Sequence, residues 1–168
     1  MHADYQTALL KQLRDQQVRF APRDKKVDQV NRAERLLGEL EPGRVYTFEY
    51  LCFRITDYRP EISPKESMSG QEARHDLRLF VEDVSDSADL TVDEAGEPVH
   101  TVEELSRMFN VSTKTIQRWR DQGLVSRRFL MGRRKRVGFL KSSVERFVER
   151  NRDRVEQANR FRLITAQD

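Results

Sequence analysis

Residues 127–136 of this 168-residue chain carry six positive charges and no acidic side chain. The basic residues are Arg127, Arg128, Arg133, Arg134, Lys135 and Arg136. So many like charges repel one another unless an anion neutralises them, and phosphate is an anion that guanidinium groups bind well. The composition therefore predicts contact with a phosphate-bearing polymer. A purely solvating basic surface is the alternative interpretation.

A second group of polar side chains comes shortly before the basic segment, on a predicted helix. Its members are Thr113, Lys114, Gln117 and Arg118. Ile116 and Trp119 share the other face of this helix at i, i+3 spacing, so they are predicted core residues. Hydroxyl, amide and cationic groups bond base edges or phosphates, and a helix fits the major groove. We expect the polar face to contact double-stranded DNA, with docking of another protein as the alternative.

Local signals mark the helix that carries this polar face and the helix before it. Thr101 and Glu104 form a T-x-x-E capping box that predicts the start of the earlier helix. Asn110 suits the turn between the helices because asparagine tolerates left-handed backbone angles. Ser112 is the predicted N-cap of the polar helix, and Gly123 is its predicted C-cap.

The basic segment itself is predicted to be a hairpin. Apolar residues alternate with polar ones on both sides of Gly132, which is a suitable turn residue. Ser142 and Glu145 then have the spacing of another capping box, which predicts a long final helix. Two helices followed by a basic hairpin have the outline of a DNA-binding module whose hairpin contacts the phosphate backbone.

The run T-x-E-E-L-S-x-x-F-x-V-S-x-x-T-I-x-R-W-x-x-x-G-L resembles the MerR-like and excisionase-like winged helix-turn-helix family. The resemblance extends over about residues 101–147. It implies that the second helix contacts the major groove through Lys114, Gln117 and Arg118. The wing, residues 133–136, would contact the minor groove or the backbone. A long dimerisation helix with clean heptads and a cysteine-based effector site are both lacking, so metal or drug sensing is not implied.

The charge divides the chain into two parts. Residues 100–168 contain 17 Lys or Arg and 8 Asp or Glu, whereas residues 1–99 have a net charge of −6. Residues 85–99 are acidic and include one Gly and one Pro, which favours a linker. We therefore predict a helical domain over 1–84, an acidic linker over 85–99, and a winged helix-turn-helix domain with a C-terminal helix over 100–168.

The N-terminal part shows helical periodicity in four segments, 4–20, 23–40, 47–55 and 70–84. The third segment overlaps VYTFEY, which could also form a strand. The predicted fold class is mainly α: a small N-terminal helical bundle and a C-terminal winged helix-turn-helix with a short β-hairpin wing.

A second resemblance rests on residues 20–61, FAPRDKKVDQVNRAERLLGELEPGRVYTFEYLCFRITDYRPE. This run is similar to the N-terminal region of a sigma-factor-like family of RNA polymerase subunits in planctomycete-type bacteria. The resemblance implies that the chain is a fragment of such a factor, acting in transcription initiation or regulation with polymerase core as a partner. Other uses of the fold are an excisionase-like or phage-packaging accessory role in DNA bending.

Composition argues against other classes of function. The three histidines, His2, His75 and His100, are scattered and lack metal-ligand spacing with Cys52. There is no glycine-rich phosphate loop and no nucleophile elbow, so neither an enzyme nor a cofactor is predicted. No apolar run is long enough for a membrane span, and a lone cysteine suits a reducing cytoplasm. Cys52 is predicted to be a buried thiol, and the sequence specifies no oligomeric state.

Overall fold

The computed structural model describes residues 4–60 and 65–167, with the side chains of residues 160–167 excepted. The chain divides into two compact units, residues 1–90 and residues 91–168. Helices predominate in both units, so the predicted fold class, mainly α, is confirmed.

The unit 1–90 is a helical bundle with one small ribbon. Its helices are α1 (Ala8–Phe20), α2 (Arg23–Leu37), α3 (Phe48–Thr56) and α4 (Gly70–Ser87). Strands β1 (Val45–Thr47) and β2 (Ser67–Ser69) pair antiparallel just before α3 and α4. Helix α4 packs on α1 and α2, and α3 packs on α2. Apolar side chains at helical spacing, such as Leu51 and Ile55, are completely buried.

The ambiguous segment around VYTFEY forms both elements in turn. Val45–Thr47 is a strand, and the helix begins at Phe48 after Thr47, whose side chain accepts a hydrogen bond from the Tyr50 backbone N–H. The helix prediction for this segment is therefore confirmed. Cys52 is buried as predicted, and burial raises the pKa of its thiol.

Asp76, on α4, anchors the start of α1. Its carboxylate is fully buried and accepts hydrogen bonds from the backbone N–H groups of Gln6 and Thr7, both at 2.8 Å, and from the Thr7 hydroxyl at 2.7 Å. Thr7 is itself the N-cap of α1. A buried carboxylate therefore satisfies donors that the entry into the helix leaves unpaired.

The unit 91–168 combines helices with a three-stranded sheet. A 3-10 turn (Val92–Ala95) precedes the remaining elements: β3 (Val99–His100), α5 (Val102–Phe109), α6 (Thr113–Asp121), β4 (Arg127–Met131), β5 (Arg134–Leu140), α7 (Lys141–Arg150) and α8 (Arg152–Gln167). The strand order is β3-β5-β4, with antiparallel neighbours. Side chains from α5, α6, β5, α7 and α8 form one hydrophobic core.

Much of segment 85–99, for which a linker is predicted, carries regular structure. Helix α4 continues to Ser87, Ala88 and Leu90 are buried, and Glu94 caps the 3-10 turn together with Thr91. Acidic composition suggested a linker, but the buried apolar residues and the capping interactions stabilise local structure.

The predicted capping box at Ser142 and Glu145 is wrong. Helix α7 begins at Lys141, and its N-cap residue Leu140 has no side-chain hydrogen bond. The final helix is also divided, because α7 ends at Arg150 and α8 begins at Arg152. Asn151 lies at the break, where its side-chain amide donates to the Phe147 carbonyl oxygen at 2.9 Å.

None of the described helices combines the length and the apolar character that a membrane span requires.

Candidate nucleic-acid interface

Helices α5 and α6 are joined by a tight turn with the predicted residues in place. The Thr101 hydroxyl accepts from the Glu104 backbone N–H at 3.1 Å, and the Glu104 carboxylate accepts from the Thr101 backbone N–H at 3.4 Å, so the capping box is confirmed. Asn110 adopts the left-handed conformation with φ of 53°. The backbone N–H of Val111 then bonds the Ser106 carbonyl oxygen at 3.0 Å, which seats the buried Val111 side chain in the turn.

Trp119 fixes the inner face of α6. Trp119 is 2% exposed. Its ring packs edge-on against Phe109 on α5, with 5.6 Å between the ring centroids. It also packs against Phe147 on α7, with 5.5 Å between the ring centroids. Ile116 is fully buried in the same core. Both residues lie where the sequence predicted them, so the rotation of α6 about its axis is set by apolar contacts.

The opposite face of α6 is open to solvent. The side chains of Thr113, Lys114, Gln117 and Arg118 are all exposed, as an interface to a ligand requires. Ser112 caps this helix as predicted by accepting from the Thr115 backbone N–H at 3.1 Å. Exposure makes contact with DNA possible for these four residues, and that contact itself stays a prediction.

A Schellman motif ends α6. The Leu124 backbone N–H bonds the Trp119 carbonyl oxygen at 3.0 Å, and the Gly123 backbone N–H bonds the Arg120 carbonyl oxygen at 3.4 Å. The C-cap residue is Gln122, so the predicted C-cap Gly123 lies one position later, with a φ of 120°. The buried Leu124 side chain then directs the chain towards β4.

Arg120 connects α6 to the segment that precedes the wing. One of its terminal nitrogens donates to the Gln117 amide oxygen at 2.6 Å, and its Nε donates to the Ser126 hydroxyl at 3.2 Å. Sequence reasoning did not single out Arg120, which contacts the candidate DNA-binding residue Gln117. The i, i+3 spacing from Gln117 is a signal that could have indicated it.

The wing is a two-residue hairpin. Met131 pairs with Arg134 across a loop of Gly132 and Arg133, and Gly132 has a φ of 65°. Since only the first loop residue has a positive φ, the loop has the pattern of a type II′ turn. The hairpin prediction is confirmed in its position and its turn residue.

Basic side chains occur on both faces of this ribbon. Residues paired across antiparallel strands share a face, so Arg134 and Arg136 lie on the face of their partners Met131 and Phe129. Lys135 alternates to the other face, together with its partner Leu130 and with Arg128.

The six basic residues of the wing differ in accessibility. Arg133, Arg134 and Arg136 are exposed, whereas Arg128 and Lys135 are half-buried. Arg127 is only 3% exposed, so its guanidinium does not lie on the open surface of the wing. A buried arginine is normally paired within the protein, and Arg127 does interact with other groups of the chain. We therefore leave Arg127 out of the candidate interface, which comprises the exposed face of α6 and residues 128 and 133–136.

Close packing holds the wing against β3. A methyl group on Gly138 would lie 2.7 Å from ring carbon Cδ2 of Phe129 and 2.7 Å from Cγ1 of Val99. Glycine therefore permits the contact of the fully buried Phe129 ring with the sheet.

Among the described residues, no group of three or more His, Cys, Asp or Glu side chains is arranged to bind a metal ion.

Comparison with known proteins finds a family match in the part of the chain that contains the candidate interface. Residues 101–152 match the model of a helix-turn-helix domain family. No curated protein and no solved structure matches the chain. The match covers α5, the turn, α6, the wing and α7, so this part of the chain is similar to helix-turn-helix domains, and the similarity supports DNA binding by these elements.

Proposed function

We propose that residues 91–168 bind double-stranded DNA, with α6 in the major groove and the hairpin of β4 and β5 on the backbone or in an adjacent minor groove. The observation that carries this proposal is the two-sided character of α6. One face is locked into the core by Ile116 and Trp119, and the other presents only polar or cationic side chains to solvent. The helix-turn-helix match over 101–152 supports it.

The two surfaces would contribute differently. Gln117 and Thr113 carry neutral hydrogen-bonding groups that can distinguish base edges. Lys114 and Arg118 can bond guanine or phosphate. The wing residues Arg133, Arg134 and Arg136 contribute sequence-independent attraction to phosphates. The mechanism is binding alone, with no chemical step.

The test compares the duplex affinities of two double variants, measured by fluorescence anisotropy. Lys114→Ala with Arg118→Ala removes two charges from α6, whereas Lys11→Ala with Lys25→Ala removes two exposed charges from the other unit. The α6 pair should weaken binding about tenfold or more, and the control pair should leave it unchanged. Equal losses from the two pairs would mean that net charge, and not this surface, governs binding.

For the biological role, we propose transcription initiation or regulation as part of a sigma-factor-like protein. This finer proposal rests on the resemblance of residues 20–61, and it makes RNA polymerase core a partner of the protein without assigning the surface that binds it. Co-purification of residues 1–168 with polymerase core tests it. Failure to bind core while DNA binding persists would remove the sigma-like role and leave the DNA-binding proposal intact.

An accessory role in DNA bending, as in excisionase-like or phage-packaging proteins, is the second candidate. The presence of cations on both faces of the wing favours it, because a ribbon that grips two backbones can narrow or kink a groove. Energy transfer between dyes at the two ends of a bound duplex measures the bend. A straight bound duplex would exclude this candidate, and absence of any DNA binding would favour protein docking.

A further inference from the structure

We infer that Arg120 determines which base edges Gln117 can recognise, by holding the Gln117 amide with its oxygen turned inwards. This inference rests on the proposed DNA-binding function of α6 and deepens it. It assigns Arg120 as a positioning residue and a guanine-bearing site as the preferred ligand.

The chemistry of the two side chains fixes the orientation of the amide. A guanidinium group only donates hydrogen bonds, so the Gln117 atom that lies 2.6 Å from the Arg120 nitrogen must be the oxygen. The amide nitrogen is then the group directed away from Arg120. An exchange of oxygen and nitrogen would place two donors against each other, so the usual ambiguity of a glutamine side chain does not arise here.

Arg120 is itself held in place. Its Nε donates to the hydroxyl of Ser126, which is 1% exposed and immediately precedes β4. The guanidinium is planar and rigid, so the bond to Ser126 also directs the nitrogen that reaches Gln117. Gln117 is exposed on the outer face of α6, whereas Arg120 is half-buried beside it.

An amide held in this way presents donors to the DNA. Glutamine normally contacts adenine through two bonds, in which its nitrogen donates to N7 and its oxygen accepts from the N6 amino group. The oxygen has a second lone pair, but Arg120 fixes its position, so the amide is less able to turn the oxygen towards the N6 amino group for the second of these bonds. Guanine offers two acceptors, N7 and O6, in the major groove, so it matches a donor better than adenine does. Gln117 should therefore favour guanine at the position that it contacts.

The experiment compares base preference among variants of the full chain. A binding site is first selected from random duplexes with the unaltered protein, and the position whose preference disappears in Gln117→Ala is identified. Affinities are then measured for all four bases at that position. The unaltered protein should prefer guanine over adenine there by roughly fivefold, the value of one hydrogen bond to a base.

Substitutions at Arg120 test the positioning role. Arg120→Met removes the bonds to Gln117 and Ser126 and should reduce or reverse the preference for guanine over adenine. Arg120→Lys keeps the charge and one donating nitrogen, so it should retain at least part of the preference. Gln117→Glu should favour cytosine, whose N4 amino group is a donor, because a carboxylate only accepts. Gln117 is exposed, so this last variant does not depend on repacking the core.

The outcomes separate this inference from the function on which it rests. An unchanged guanine preference in Arg120→Met, or an adenine preference in the unaltered protein, would overturn the positioning role while DNA binding stands. If Arg120→Met lowers the affinity for all four duplexes by the same factor, Arg120 only contacts phosphate. That result would also overturn the positioning role. If the unaltered protein binds no duplex at low salt, the proposed function fails and the inference fails with it.

Discussion

Glu97 and Ser142, which are 45 positions apart in the sequence, are joined by two hydrogen bonds at the start of α7. The Ser142 backbone N–H donates to one carboxylate oxygen of Glu97 at 2.6 Å, and the Ser142 hydroxyl donates to the other at 2.9 Å. Lys141 adds a backbone bond to the Pro98 carbonyl oxygen at 3.0 Å. The segment before β3 therefore caps α7 and fastens the helix to the sheet.

Glu97→Ala should lower the free energy of unfolding of residues 91–168 by about 1–2 kcal/mol, since it removes a charged cap from a helix start. Glu145→Ala is the control, because the exposed Glu145 contributes only a 3.9 Å ion pair with Lys141. Urea unfolding followed by fluorescence of Trp119, the sole tryptophan, reports on this unit. A larger effect from Glu145→Ala than from Glu97→Ala would restore the capping box that the sequence suggested.

The wing should contribute mainly to the salt-dependent part of DNA binding. Arg133→Ala with Arg134→Ala removes two exposed cations and should weaken binding to every duplex sequence. The slope of log affinity against log salt should become shallower by roughly two. The Lys11→Ala and Lys25→Ala pair should keep the original slope. A sequence-selective loss from the wing pair would contradict a backbone-contacting role.

Two glycines of the wing should respond differently to substitution. Gly138→Ala places a methyl group 2.7 Å from atoms of Phe129 and Val99. This overpacking should lower the free energy of unfolding by about 1–3 kcal/mol. Gly132 has open space around it, and its requirement is the positive φ of 65°. Asparagine is one of the residues found at positive φ in primed turns, so Gly132→Asn should lower the free energy of unfolding by less than Gly138→Ala does. Equal destabilisation in chemical unfolding would show that Phe129 does not pack on Gly138.

Cys52 should be slow to react with alkylating reagents. Burial raises the pKa of its thiol, and Sγ lies 3.7 Å from the Tyr58 carbonyl oxygen in a position to donate. Since the thiolate is the reactive form, the alkylation rate should keep rising with pH beyond the range in which free cysteine is already ionised. Mass spectrometry after iodoacetamide treatment measures this rate. Rapid labelling at neutral pH would contradict a buried thiol.

Signals that lie within one turn of helix were predictable from the sequence. The Thr101 and Glu104 capping box, the left-handed Asn110 and the burial of Trp119 each depend on residues a few positions apart. The positive charge of the wing was equally visible. These local features sufficed to place α5, α6 and the hairpin.

Features that depend on distant partners were not predictable. Asp76 bonds the start of α1 from about 70 positions away, and Glu97 replaces a local cap at α7 from 45 positions away. Arg127 resembles its basic neighbours in the sequence, yet it is buried, and nothing local distinguishes it. Tertiary contacts, which composition does not reveal, decide these cases.

Binding to double-stranded DNA is the central claim, and anisotropy of a labelled random duplex at ~50 and ~200 mM salt tests it most directly. Several phosphate contacts from α6 and the wing should lower the affinity by roughly a thousandfold between these two conditions. Absence of binding at ~50 mM salt would contradict the account and would indicate that the helix-turn-helix domain docks protein.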